Sequence, residues 1–126
     1  MSRSLRVLIV EDEYFVASYM ADLMEEWGHE VVATCATGAE AIEHLNRGGV
    51  ELAILDIKLK GDLTGVDVAD VARAQEIAHV FVSGSGDTVT RSAAIATNPL
   101  AFLQKPVNER QFRSVLNGLL VEPLES

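Results

Sequence analysis

The sequence predicts a doubly wound α/β fold: one open, five-stranded parallel sheet of order 2-1-3-4-5 with helices on both faces. Three observations carry this expectation. Five short segments are rich in apolar residues and bare of charge at their centres, the pattern of strands covered on both faces. Amphipathic stretches with apolar residues three and four apart separate them. Polar or charged residues stand where the apolar runs stop, so a parallel sheet would collect them along one rim. Strand-helix repeats of this kind connect right-handedly. In the 2-1-3-4-5 order, strands one and three are neighbours, and the crevice at their carboxyl ends is the topological switch point.

The elements follow in order. Leu5 to Val10 (LRVLIV) is strand one, and Glu11, Asp12 and Glu13 follow at once. From Glu13 to Trp27, Val16, Met20, Leu23 and Trp27 recur at helical spacing, with Gly28 at the expected C-terminal cap. Glu30 to Thr34 is strand two. Thr37 with Glu40 forms a capping-box pattern for a helix to about Arg47, which Gly48 and Gly49 end. Val50 to Leu55 is strand three and stops at Asp56. A polar loop leads to about Gly65, then a helix to about Gln75 with Val66, Ala69 and Val68 or Ala72 on its apolar face. His79 to Val82 is strand four, ending at Ser83. Gly84 and Gly86 lead to Asp87 as N-cap of a helix to about Thr97. Ala101 to Gln104 is strand five, ending at Lys105 and Pro106. Asn108 with Gln111 suggests a cap for a last helix whose face carries Phe112, Val115, Leu116 and Leu119. Residues 1–120 are thus expected to form one domain, with 121–126 a frayed tail.

Composition narrows the function. The chain has 126 residues, 48% of them hydrophobic, enough to bury the core of one domain. No apolar run reaches the roughly 20 residues a membrane span needs, and the N-terminus lacks a signal-peptide layout. A soluble, cytoplasmic protein is expected. The net charge of -9 disfavours phosphate backbones and anionic lipid, so neither direct nucleic-acid binding nor membrane association is expected. Cys35 is the single cysteine, which excludes an internal disulfide and reads as packing. His29, His44 and His79 have no metal-ligand spacing.

Strand one delivers Glu11 and Asp12 to the rim, strand three Asp56, strand four Ser83 and strand five Lys105. Taken singly, acids at a helix start complement its dipole, Asp56 closes a strand as a turn residue, Ser83 caps, and Lys105 is solvated. Their coincidence on one edge points to chemistry. Carboxylates brought together repel unless a cation intervenes, and an oxygen-only site suits Mg²⁺. Asp12 is the expected chief ligand, Asp56 the second and Glu11 an indirect one through water, with the backbone carbonyl of Lys58 completing the set. A carboxylate beside Mg²⁺ can act as nucleophile toward a phosphoryl donor, with Lys105 and Ser83 contacting the phosphoryl oxygens.

On these residues the chain resembles the receiver domain of two-component response regulators, over residues 5 to 120. The matching pieces are VEDE after strand one, LD at Asp56, Ser83-Gly84, and Lys105-Pro106. The resemblance implies phosphorylation of Asp56 by a histidine kinase or phosphotransfer protein and a cis bond between Lys105 and Pro106. It also implies an aromatic switch at Phe102. Recruitment of the Ser83 hydroxyl to the phosphoryl group, followed by an inward turn of Phe102, would alter the surface of helix four, strand five and helix five for a downstream partner. Lys60 and Thr64 stand where receivers commonly have proline and glycine, with Gly65 one residue later, so the loop after Asp56 reads as one residue longer. Ser83 stands where threonine is common.

Two rival functions come from other classes. A phosphohydrolase using Asp56 as a turnover nucleophile would usually carry a general acid two residues later, where this chain has Lys58. A binding module that keeps the fold but signals without phosphorylation would not need the acids, Ser83 and Lys105 together. Flavin binding in the same flavodoxin-like topology is disfavoured by carboxylates where a flavin phosphate needs donors. With no output domain after the last helix, the chain, if complete, is expected to act through partners or by passing on or draining phosphoryl groups.

Overall fold

The computed structural model describes residues 3–84 and 87–120. The expected tail at 121–126, and Gly86, lie outside the described residues. Five strands alternate with five helices: β1 (Arg6–Val10), α1 (Tyr14–Glu26), β2 (Glu30–Cys35), α2 (Gly38–Arg47), β3 (Leu52–Leu55), α3 (Gly65–Ala74), β4 (Ala78–Ser83), α4 (Thr88–Ile95), β5 (Phe102–Gln104) and α5 (Glu109–Leu120). All strand pairs are parallel and the order is β2-β1-β3-β4-β5, as expected. Differences at the ends of elements are of one to two residues. The largest are at β3, which starts at Leu52, and at α4, which stops at Ile95.

Alternation along the central strands explains why they read as continuous apolar runs. Val7 and Ile9 of β1 face one layer with Leu52 and Ile54 of β3, against Met20, Leu23 and Met24 of α1 and Phe112 and Leu116 of α5. Leu8 and Val10 face the other, with Ala53 and Leu55, against Leu45 of α2, Val68, Ala69 and Ala72 of α3 and Ala94 of α4. Successive residues of a strand point to opposite faces, so a sheet covered on both sides has no polar position to spare. Both candidates on α3, Val68 and Ala72, are buried, while Val66 packs at the margin. Cys35 is buried, and burial pushes its thiol up to about 11.

Helix ends are set by local chemistry. At the end of α1, Gly28 takes φ of 90°, and the N–H groups of Gly28 and His29 close on Glu25 O and Met24 O. Thr37 accepts from Glu40 N at 3.1 Å, but the Glu40 carboxylate accepts the Thr37 hydroxyl, so only half of the expected box forms. The complete box lies at Thr64 and Asp67, where each side chain accepts from the other's backbone N–H. Asp87 caps α4 through Thr90 N, and Asn108 accepts from Gln111 N.

The loop after Asp56 returns to the sheet at Gly65, whose N–H donates to Ile57 O at 2.8 Å. A Cβ at Gly65 would stand 1.9 Å from the Asp56 carbonyl oxygen. Glycine is therefore required at position 65 by close approach. Gly65→Ala should destabilise the fold by about 2 kcal/mol or more, since backbone lies in the way; a denaturation midpoint equal to that of the parent would refute the packing argument.

His79 is buried on β4, and burial, its first cause, lowers its basicity below the ordinary imidazole value. The unfolded chain therefore binds a proton that the native state resists, and stability falls as the pH drops through the ordinary histidine range. A His79→Gln variant lacks this loss. Its Tm deficit relative to the parent should narrow between about pH 7 and about pH 5, and a constant deficit would exclude a buried neutral His79.

Candidate functional site

Parallel registration puts the ends of β1, β3, β4 and β5 on one edge: Val10 pairs with Leu55, Leu55 with Phe81, and Ser83 with Gln104. The residues just past those ends converge. Asp56, 6% exposed, has both carboxylate oxygens engaged. Its Oδ1 accepts from Ile57 N at 2.6 Å and from the Ser83 hydroxyl at 2.7 Å, and its Oδ2 accepts from Lys105 Nζ at 2.7 Å. Lys105 Nζ also lies 2.8 Å from Glu11 Oε1 and 3.3 Å from Glu13 Oε1. A cleft of about 340 Å³ opens over this group, lined by Asp12, Asp56, Lys58, Ser83 and Lys105 among others.

Electrostatics follow from the burial. Glu11 is 3% exposed, and desolvation raises its carboxyl above the ordinary value against the lowering effect of Lys105 and the Glu13 N–H. Burial works against the Lys105 ammonium, but its contacts with Asp56 and Glu11 outweigh it and hold the group firmly protonated. One cation thus serves three carboxylates. Asp12, half-buried, joins no ion pair among the described residues. Oxygens of Glu11, Asp12 and Asp56 all lie within 4.8 Å of one another. Glu11 Oε1, buried, has the ion pair with Lys105 but no hydrogen bond. A compact, acidic, oxygen-only cluster with an incompletely satisfied buried oxygen fits a hard divalent cation.

The expected residues Glu11, Asp12, Asp56, Ser83 and Lys105 are therefore brought together, and Lys58 is exposed on the rim of the same cleft. Phe102 is not at the cleft: it is half-buried, stacks on Phe81 at 5.9 Å, and lies under Arg91. The Ser83 hydroxyl reaches Asp56 Oδ1, and the residue is 1% exposed at the end of β4. The strand-one acids are not caps. Glu13, the N-cap of α1, makes no side-chain capping bond, and the Glu11 carboxylate turns back to accept from Glu13 N at 3.1 Å. Sequence reading missed Glu13 as a partner of Lys105, although it is the third acid in the run. His29 and His79 are buried through hydrogen bonds with Leu5 N and Thr97 Oγ1, and no histidine belongs to the acidic cluster. The Lys105-Pro106 bond is cis.

Comparison with known proteins meets this geometry. The model of the response regulator receiver domain matches residues 7–117. The transcriptional regulatory protein PdtaR of Mycobacterium tuberculosis is 33% identical over 104 residues, covering 80% of this chain and 49% of that protein. An uncharacterized response regulatory protein of Yersinia pestis is 30% identical, covering 91% of this chain and 48% of its own length. The chain thus spans about half the length of these curated relatives. Among solved structures, the signal receiver domain of a modulated diguanylate cyclase from Desulfovibrio desulfuricans is 28% identical, with a TM-score of 0.87 over 94% of both chains. A CheY-like receiver domain protein from Methanospirillum hungatei, 24% identical, shares the fold with a TM-score of 0.84 over 94% of both chains. With four strand ends delivering the acids, hydroxyl and lysine to one cleft, and the match running almost from end to end, the chain belongs to the response regulator receiver domain family.

Proposed function

We propose that Asp56 is the phosphoacceptor of a two-component phosphorelay and that its modification changes the surface of α4, β5 and α5 for a downstream protein. The observation that carries this reading is the engagement of the Asp56 carboxylate by Lys105 and Ser83 at the mouth of an acidic cleft. Receiver domains are signalling domains, and no helix among the described residues is long and apolar enough to cross a membrane. The phosphodonor is a histidine kinase or phosphotransfer protein. Tyr14 and Phe15 of α1, 75% and 84% exposed directly after the acids, offer it an apolar landing beside the cleft.

Asp12, Asp56, Glu11 through water and the Lys58 carbonyl would hold Mg²⁺, which when bound offsets the negative charge of carboxylates and phosphoryl oxygens. The Asp56 carboxylate attacks phosphorus, the bond from phosphorus to the donor breaks, and the donor leaves with its electron pair. Lys105, already on Asp56, needs only a short movement to pair with a phosphoryl oxygen. Ser83 exchanges one acceptor for another: on phosphorylation the carboxylate loses its charge, and the hydroxyl donates instead to a phosphoryl oxygen, where the charge-assisted bond now lies. The signal is thus a change of partner at Ser83 and Lys105, biasing two arrangements of the β4 end and Phe102.

Intact-mass measurement with a small phosphodonor tests the reading. Mg²⁺-dependent gain of one phosphoryl group is expected for the parent and none for Asp56→Asn. Lys105→Ala should retain metal binding while slowing phosphorylation or abolishing the response of residues 87–120 in amide exchange. Full phosphorylation of Asp56→Asn would overturn the assignment. Asp12 without an ion pair also has a stability signature. Asp12→Asn should raise the metal-free Tm by about 3 °C, and an unchanged or lower Tm would show that Lys105 already neutralises the cluster.

A further inference from the structure

Helix α4 is the least embedded of the five, with Ala94 its one buried residue. Besides the Asp87 cap and an Arg73 contact with Ala96 O, two further side-chain contacts hold it. Just past its end, Thr97 is 3% exposed; its hydroxyl donates to Ala94 O at 2.6 Å and lies 2.8 Å from His79 Nε2. That contact ties the end of the helix to β4. Within the helix, the Arg91 guanidinium lies 4.5 Å from the centre of the Phe102 ring, which itself stacks on the fully buried Phe81. Arg91 is the sole charge in the α4 sequence TVTRSAAI.

We propose that α4 is hinged at Thr97 on His79 and latched at Arg91 on Phe102, so that a cation-aromatic contact keeps the ring half exposed and the helix against the sheet. The guanidinium is attracted to the ring only while it stands over its face. An inward turn of Phe102 takes that face away, so ring rotation and helix position are linked through one contact. The hinge end depends on the ring less directly, because Thr97 and His79 are buried and bonded to each other, and His79 meets Phe102 only through Phe81. Arg91 therefore opposes the inward state, and the helix should loosen from its N-terminal half. What trips the latch rests on the reading of Asp56 as phosphoacceptor; the latch itself does not.

Amide exchange on the unmodified full chain tests this without any phosphodonor. Arg91→Gln and Phe102→Leu should each speed exchange over residues 90–93 by about two- to five-fold, the worth of one exposed cation-aromatic contact. Residues 94–98 should keep parental protection. The double variant should exchange no faster than the faster single variant, since both remove the same contact. Parental rates in Arg91→Gln, or additive effects in the double variant, would overturn the latch. Loosening of 94–98 together with 90–93 would overturn the hinge. If Arg91→Gln fails to fold, Arg91→Lys, which keeps charge and stem but not the planar group, should give intermediate rates, and parental rates there would refute the latch as well. Phosphorylation of the parent is measured separately by mass: its failure would sink the phosphoacceptor reading while leaving the exchange result standing.

Discussion

The ammonium of Lys105 is the constraint on which the site depends. Glu11 and Asp56 sit at the ends of adjacent strands, both nearly out of reach of water, and a pair of unpartnered buried carboxylates would cost the fold several kcal/mol. Lys105 arrives from the end of β5, with β3 and β4 between it and β1, and stands within 2.8 Å of both. Its stem has to cross the end of β4, where Gly84, with Lys105 Cδ 3.9 Å from where its Cβ would lie, leaves ample room. The arrangement is under-neutralised by design of its composition: three carboxylates share one cation, and Asp12 stands beside them without an ion pair. The residual negative charge suits a divalent cation, which would offset what one ammonium cannot.

Much of this was legible in the sequence because parallel topology converts order along the chain into proximity in space. Asp56 and Lys105 are distant in sequence, yet each stands immediately past an apolar run, and that alone fixes a common edge. Side-chain partnerships were less legible. Nothing in the residue string distinguishes a Ser83 that waits for a phosphoryl group from one already bonded to Asp56, because a displacement of an ångström or two decides it. Glu13 looked like a dipole-complementing acid, and only the reach of Lys105 back across the rim makes it a partner. The cap at Thr64 was missed for a simpler reason: its reciprocal acid is Asp67, one methylene shorter than the glutamate of the usual pattern, and the short side chain still reaches.

Gly65 illustrates how a departure from a family pattern can leave the physics untouched. The loop after Asp56 reads as one residue longer than the family pattern, and the chain passes over the Asp56 carbonyl on its way into α3. The requirement for a missing side chain belongs to that crossing point and not to a count of residues from the aspartate. Lys60, standing where proline is common, instead uses its N–H to donate to Ala36 O, tying the loop to the segment between β2 and α2. A proline has no such donor. The loop is thereby fastened at its middle by Lys60 and at its end by Gly65.

The division of the core into two layers has a consequence for divergence among related chains. Helix α1 rests on the layer built with α5, whereas α4 rests on the layer built with α2 and α3. The strands between them present different residues to each side, so a substitution that reshapes one helix is absorbed by its own half of the interior. Because α5 shares its layer with α1 while α4 lies across the sheet, α1 and α5 must vary together, whereas α4 can be reshaped without disturbing either.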